Sequence, residues 1–227
     1  MRIEAASNRA ALFLEDGDTF YFKPSILTGY PHYNVCFVPP HPYGSPIMRI
    51  IYRSYLLMKK VDARGSSKEV SVNGYFPRGN FHSLTVPAGE RHMVNARHVA
   101  GFCGKTAAIH THIKFHPAFW CFREHFFSVF HGPATILLYS RSGFESTTAD
   151  EYTPSRIVSF NITRRLTPIT PQPTSPLSLI YNVFSTEVIW KFIDPGVTIA
   201  ETHHGEPGSE SLSVWEVVKH LAGIWRF

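Results

Sequence analysis

The chain is poor in charge. Asp, Glu, Lys and Arg make up 17% of its 227 residues, below the usual quarter. Its net charge of +5 is scattered. Lys59-Lys60 and Arg164-Arg165 are the adjacent basic pairs, and no dense basic run of the kind that tracks phosphates is present. Nucleic acid is therefore an unlikely partner on composition. Cysteine is scarce too. Cys36, Cys103 and Cys121 lie far apart with no Cys-x-x-Cys pair, so neither a zinc knuckle nor a dithiol redox motif is available. Buried free thiols in a reducing compartment are expected. Gly-x-Ser-x-Gly, the elbow of serine hydrolases, is missing, and Gly101-Phe102-Cys103-Gly104 is too short for a phosphate-cradling loop. The first twenty residues carry Glu4, Glu15, Asp16 and Asp18 and lack an apolar stretch, against a signal or transit peptide. The apolar run from Phe119 to Phe130 is broken by Arg123, Glu124 and His125, against a membrane-spanning helix.

What the chain has in excess is aromatic residues, 14%, and proline, 17 residues. Flat rings pack well on pleated strands, and a proline inside a helix costs about 3 kcal/mol. Period-two alternation between turn residues is the dominant pattern. Strands are predicted at Thr19–Phe22, Met48–Leu56, Glu69–Val72, His82–Val86, Thr135–Ser140, Arg156–Ile162 and Glu187–Ile193. Asn73-Gly74, Pro87-Ala88-Gly89, Gly132-Pro133 and Asp194-Pro195-Gly196 punctuate them. Gly89 and Gly132 are expected at turn positions that need an unusual φ. In the Thr135–Ser140 strand, Ile136 and Leu138 point one way and Leu137 and Tyr139 the other. Such a strand is apolar on both faces and should be central or form an interface.

The reading is one all-β domain over residues 1–227, with Pro-rich loops near 39–46 and 168–176. Short β segments that end in proline turns recur at Phe22-Lys23-Pro24, Val86-Pro87 and Ile193-Asp194-Pro195; their unequal spacing fits a duplicated β architecture and not a solenoid. At the C-terminal end Val214, Val217, Val218, Leu221, Ile224 and Trp225 share one helical face, with Ser213 and Glu216 at capping-box spacing. An amphipathic helix over 211–225 is predicted, packed on the sheet or docked on another chain.

Histidines are the candidate ligand set. His110-Thr111-His112 puts two imidazoles on one face of a strand, with His116 following and His92 after Pro87-Ala88-Gly89. Gly104 to His112 matches the Gly-x5-His-x-His spacing of the cupin metal site, and Pro87 to His92 matches its Pro-x-Gly-x-x-His spacing. The order is reversed here, and no local carboxylate completes a two-His, one-carboxylate set. The resemblance implies a divalent transition metal held by His92, His110, His112 and His116; a purely structural role for these residues is the alternative.

Two segments carry a second resemblance. Phe81–Phe102, which contains Leu84-Thr85-Val86-Pro87-Ala88-Gly89 and Val99-Ala100-Gly101-Phe102, and Phe130–Arg141, which contains Gly132-Pro133-Ala134-Thr135-Ile136-Leu137-Leu138-Tyr139-Ser140-Arg141, resemble the altered-inheritance-of-mitochondria family, related to bacterial proteins of TRAP-like fold. The similarity covers mostly residues 70 to 145, with a looser match at Gly17 to Pro24, and is closest to fungal mitochondrial members. It implies an all-β core of double-stranded β-helix or TRAP-like sandwich type, no catalytic residues, no cofactor, and a place in inner-membrane-associated mitochondrial assemblies. A cytoplasmic location is the alternative.

The expected function is thus a non-catalytic scaffold or assembly subunit that binds other proteins in a hetero- or homo-oligomer. Phe126, Phe127 and Phe130, and Trp215, Val218 and Trp225 of the predicted helix, are the interface candidates; for the phenylalanines, core is the competing reading. Two alternatives stand beside it: the His-ligated metalloprotein, and peripheral contact with an anionic membrane surface through the C-terminal helix, where Lys219 and Arg226 supply little charge.

Overall fold

A strand with apolar residues on both faces needs a partner layer on each side, and β13 (Ala134–Ser140) shows how the chain provides them. Ile136 and Leu138 enter one core, and Leu137 and Tyr139 enter another. The computed structural model describes residues 2–23, 27–28, 34–37, 57–74, 79–96, 98–103, 109–113, 126–152, 156–169 and 189–202. Among them every regular element is a strand; the all-β expectation holds.

The strands are numbered along the described residues and form four antiparallel sheets. One outer sheet has the order β1 (Arg2–Ala6), β2 (Arg9–Leu14), β7 (Lys68–Asn73), β4 (Leu27–Thr28). The first inner sheet runs β5 (Asn34–Phe37), β6 (Leu57–Asp62), β3 (Thr19–Phe22), β10 (Val99–Cys103), β13, β8 (Asn80–Val86). The second inner sheet runs β11 (Ile109–Ile113), β12 (Phe126–His131), β9 (Arg91–Asn95), β16 (Ile157–Asn161), β19 (Thr198–Glu201), β14 (Phe144–Thr147). The other outer sheet runs β15 (Glu151–Tyr152), β18 (Ile189–Phe192), β17 (Leu166–Ile169).

Three cores lie between these four layers. Leu12, Leu14, Val70 and Val72 of the first outer sheet meet Phe20, Phe22, Val61 and Leu137 of the first inner sheet. Leu84, Val86, Phe102, Ile136 and Leu138 of that sheet meet Val94, Phe130, Val158 and Ile199 of the second. Met93, Phe127, Val129 and Phe160 on the far face of the second inner sheet meet Tyr152 and Phe192 of the last layer. Full burial of each such Phe or Leu side chain is worth about 1.5–3 kcal/mol.

The two inner sheets repeat each other. Adding six to every strand number of the first sheet's order gives the second sheet's order. The match extends to local detail: β10 against β13 has a register shift between Val99 and Gly101, and β16 against β19 has one between Ile157 and Ser159. The duplicated architecture expected from recurring proline turns is present, but it is written in strand order and bulge position.

Predicted strands over 19–22, 69–72, 82–86, 135–140, 156–162 and 187–193 correspond to β3, β7, β8, β13, β16 and β18 within a few residues at their ends. Met48–Leu56, the 39–46 loop and the 211–225 helix lie outside the described residues. So does most of the 168–176 segment, whose Pro168 and Ile169 end β17. Gly89 has φ +83° as expected. Gly132 is a correction: its φ is not positive, and what excludes a side chain there is close packing on Pro87.

Candidate functional site

The chain crosses between the inner sheets at both ends of the central core, and its polar residues gather there. At one end β8 passes into β9 through Pro87–Glu90, and β12 passes into β13 through Gly132-Pro133, a cis peptide. The two crossovers are packed backbone to backbone. Gly132 N donates to the Glu90 carbonyl at 3.0 Å, Glu90 N donates to the Pro87 carbonyl at 3.1 Å, and a Cβ on Gly132 would overlap the Pro87 carbonyl oxygen. His92 lies beside this corner, its Nε2 3.3 Å from Glu90 Oε2. Asn161 Nδ2 donates to the same oxygen at 3.4 Å. His131 also lies here; burial, and then the nearby Arg91, holds its pKa below the ordinary value.

The strand ladder tests the geometry expected of a histidine ligand set. His92 is opposite Phe130, which is opposite Ile109. His110 is opposite Val129 and His112 opposite Phe127, whose partners on β9 are Met93 and Asn95. Residues directly across a ladder share a face and successive rows alternate. The backbone therefore sets His92 on a row of opposite parity to those of His110 and His112. His116 lies outside the described residues. Among the described residues no group of three or more His, Cys, Asp or Glu is placed to hold a metal ion.

Phe127 and Phe130, two of the interface candidates, are core residues. Both are fully buried, Phe127 against Phe160 and Phe130 against Phe102, because β12 is an inner strand with a packed layer on each face. Phe126 begins the same strand. Trp215, Val218 and Trp225 lie outside the described residues. The Cys103 side chain is buried, as expected for the cysteines.

The opposite end holds a cluster that sequence reading missed. Here β9 passes into β10 through Ala96–His98, and β13 into β14 through Arg141–Gly143. Backbone bonds join these crossovers, Tyr139 N donating to the His98 carbonyl at 2.7 Å and Thr202 N to the Gly143 carbonyl at 3.2 Å, and side chains add to them. Ser140 Oγ donates to Glu201 Oε1 and accepts from Ser142 N at 3.1 Å. Glu201 Oε2 is 3.8 Å from His98 Nε2. Arg156 Nε donates to the Glu201 carbonyl at 3.1 Å, and its guanidinium pairs with Glu145. Thr202 Oγ1 donates to the Ser142 carbonyl. Lys23 reaches in from the end of β3, its ammonium donating to the Ala96 carbonyl at 2.9 Å; burial pushes its pKa down to about 8. Ser140 and His98 are each 4% exposed. The arrangement is not that of a nucleophile and its base, since the serine hydroxyl is bonded to the carboxylate and not to the imidazole.

A third feature is the corner between β18 and β19, Ile193–Val197. Ile193 and Val197, 55% and 58% exposed, are the large hydrophobic residues most open to solvent among the described residues. Two arginines fix the corner behind them. Arg164, buried, lies 4.0 Å over the Phe192 ring, donates from Nε to the Asp194 carbonyl at 3.0 Å, and donates from Nη1 to Thr198 Oγ1. Arg165 grips the Asp194 carboxylate through Nε and Nη2 at 3.1 and 3.2 Å, and this fork holds the Asp194 carboxyl below the ordinary carboxylate range.

No family model matches the chain, and no curated protein matches it. A solved structure does. The chain is similar in fold to a Streptococcus pyogenes protein determined as a structural-genomics target, with a TM-score of 0.61 and 14% identity over 89% of this chain and 93% of that one. At that identity the likeness establishes the fold alone, extended over nearly the whole length of both chains.

Proposed function

We propose that the protein is a non-catalytic scaffold that binds other protein subunits. The observation that carries this reading is the β18–β19 corner. It presents Ile193 and Val197 to solvent on a backbone that Arg164 and Arg165 hold from behind. An apolar tip that is already rigid loses little conformational entropy when a partner covers it, and the apolar centre with a charged rim is the pattern of a protein-binding surface. Layered sheets supply a frame that keeps the tip in place. The family resemblance supports a mitochondrial, inner-membrane-associated setting for such a scaffold, which fractionation of the native protein tests.

A photo-crosslinking residue placed at Val197, compared with one at exposed Thr85 on β8, tests the function in the native source. A discrete set of protein adducts from position 197, absent from position 85, is expected. Equal or absent labelling at the two positions counts against the proposal.

A further inference from the structure

At the side-chain-tied end of the central core, two imidazoles share one aromatic ring. The His82 ring is 5.6 Å from that of Phe144, tilted at 42°, and the His98 ring is 6.0 Å from it, edge-on at 75°. His82 belongs to β8 and Phe144 to β14, the terminal strands of the two inner sheets at this side, so the contact closes the seam between them. The two histidines are not equivalent. His98 has the Glu201 carboxylate at 3.8 Å, whereas no ion pair to His82 forms among the described residues. The other charged groups around the seam are committed elsewhere. Glu145 of β14 pairs with Arg156, Glu201 of β19 takes Ser140 and His98, and Lys23 bonds to Ala96. Arg141 beyond β13 is exposed, and Arg2 and Glu4 of β1, which packs beside β8, pair with each other in solvent.

We propose that His82 is an acid-sensitive latch, whose protonation loosens the seam between β8 and β14 and opens this end of the central core. Neutral imidazole packs on Phe144 as an aromatic ring. The imidazolium must keep its hydration or find a carboxylate, and the structure gives that carboxylate to His98. Burial, which holds the His82 pKa below its ordinary value, works in the same direction.

Amide hydrogen exchange of the full chain at pH 7.5 and 5.5, corrected for intrinsic rates, tests this above the ordinary carboxylate range. Protection at residues 80–84 and 144–147 is expected to fall at least roughly twofold at the lower pH, as proton uptake by the opened state requires. Residues 86–91 and 130–134 should fall less, although His131 there is also held below its ordinary pKa, and His82→Phe should hold the protection of residues 80–84 at both values. Unchanged protection of the wild type, or an equal loss in His82→Phe, would overturn the proposal. Should His82→Phe fail to fold, the NMR titration of His82 in the wild type decides: a midpoint below 6.5 supports the latch, and one at or above 6.5 removes it.

Discussion

The two ends of the central core solve the same problem with different chemistry. Each must join a pair of chain crossovers between the inner sheets. At the Pro87–Gly132 end the joint is made of backbone: a carbonyl accepting from Gly132 N and a glycine Cα seated against the Pro87 carbonyl. At the His98–Glu201 end backbone bonds are present too, Tyr139 N donating to the His98 carbonyl at 2.7 Å and Thr202 N to the Gly143 carbonyl at 3.2 Å, but buried side chains are added to them, a serine, an imidazole and a guanidinium converging on one residue. A backbone joint depends on shape and is indifferent to ionic conditions. A side-chain joint depends on charge, tolerates a change of shape better, and can be weakened by protons. The first end leans more on shape and the second more on charge.

The largest effect is expected from breaking the backbone joint. Gly132→Ala puts a methyl group where the Pro87 carbonyl oxygen stands, and both groups are backbone, with no rotamer to give way. The loss should exceed about 4 kcal/mol, or prevent folding, as read by urea denaturation. Gly89→Ala sharpens the contrast at the same corner. Gly89 has nothing within 4 Å of its added Cβ, only φ +83°, so that variant should lose about 1–2 kcal/mol. Equal losses would mean that close packing is not what joins this end.

The sequence made one of these ends legible and hid the other. Pro87-Ala88-Gly89 and Gly132-Pro133 announce turns by residue type alone, and Gly89 is where a left-handed residue was expected. The two-faced strand β13 was also readable, because Ile136, Leu137, Leu138 and Tyr139 are contiguous and their alternation between cores follows from period two. What Gly132 requires comes from Pro87, 45 positions earlier, and no local pattern records that approach. His98, Ser140 and Glu201 come from three distant segments and none lies in a motif. They meet because a crossover end and the ends of two strands are brought together. Conversely, spacing along the chain could not show that His92 sits on a ladder row of opposite parity to His110 and His112, which share one. Phe127 and Phe130 looked equally suited to surface or core, because an apolar run carries no sign of how many layers will cover it.

A smaller effect is expected at the side-chain end. Glu201→Ala leaves Ser140 Oγ without its acceptor and His98 without its carboxylate, and it does so where both residues are 4% exposed. An unsatisfied buried polar group costs about 1–3 kcal/mol, and the loss should lie in that range. Glu201→Gln should recover part of it, since an amide oxygen still accepts from the serine. Full recovery by Gln would show that the charge contributes nothing, which would make this joint as indifferent to ions as the other and erase the contrast.

The smallest effect is the response of overall stability to mild acid. His82 and His131 both have pKa values held below 6.5 by burial, with Arg91 adding to the effect at His131. The unfolded chain therefore takes up protons at a higher pH than the folded one does. Stability from these groups is complete above 6.5, declines as the pH falls through 6.5, and stops changing below the folded pKa values. Urea midpoints should drop modestly between pH 7.5 and 5.5. His82→Phe and His131→Phe should each remove part of that drop, although the two residues occupy opposite ends. The global slope thus counts both histidines alike. What separates the ends is where the fold opens first, since a proton on His131 strains a corner held by the Gly132 N–Glu90 carbonyl bond, while one on His82 acts on the ring contact with Phe144 that closes the β8–β14 seam.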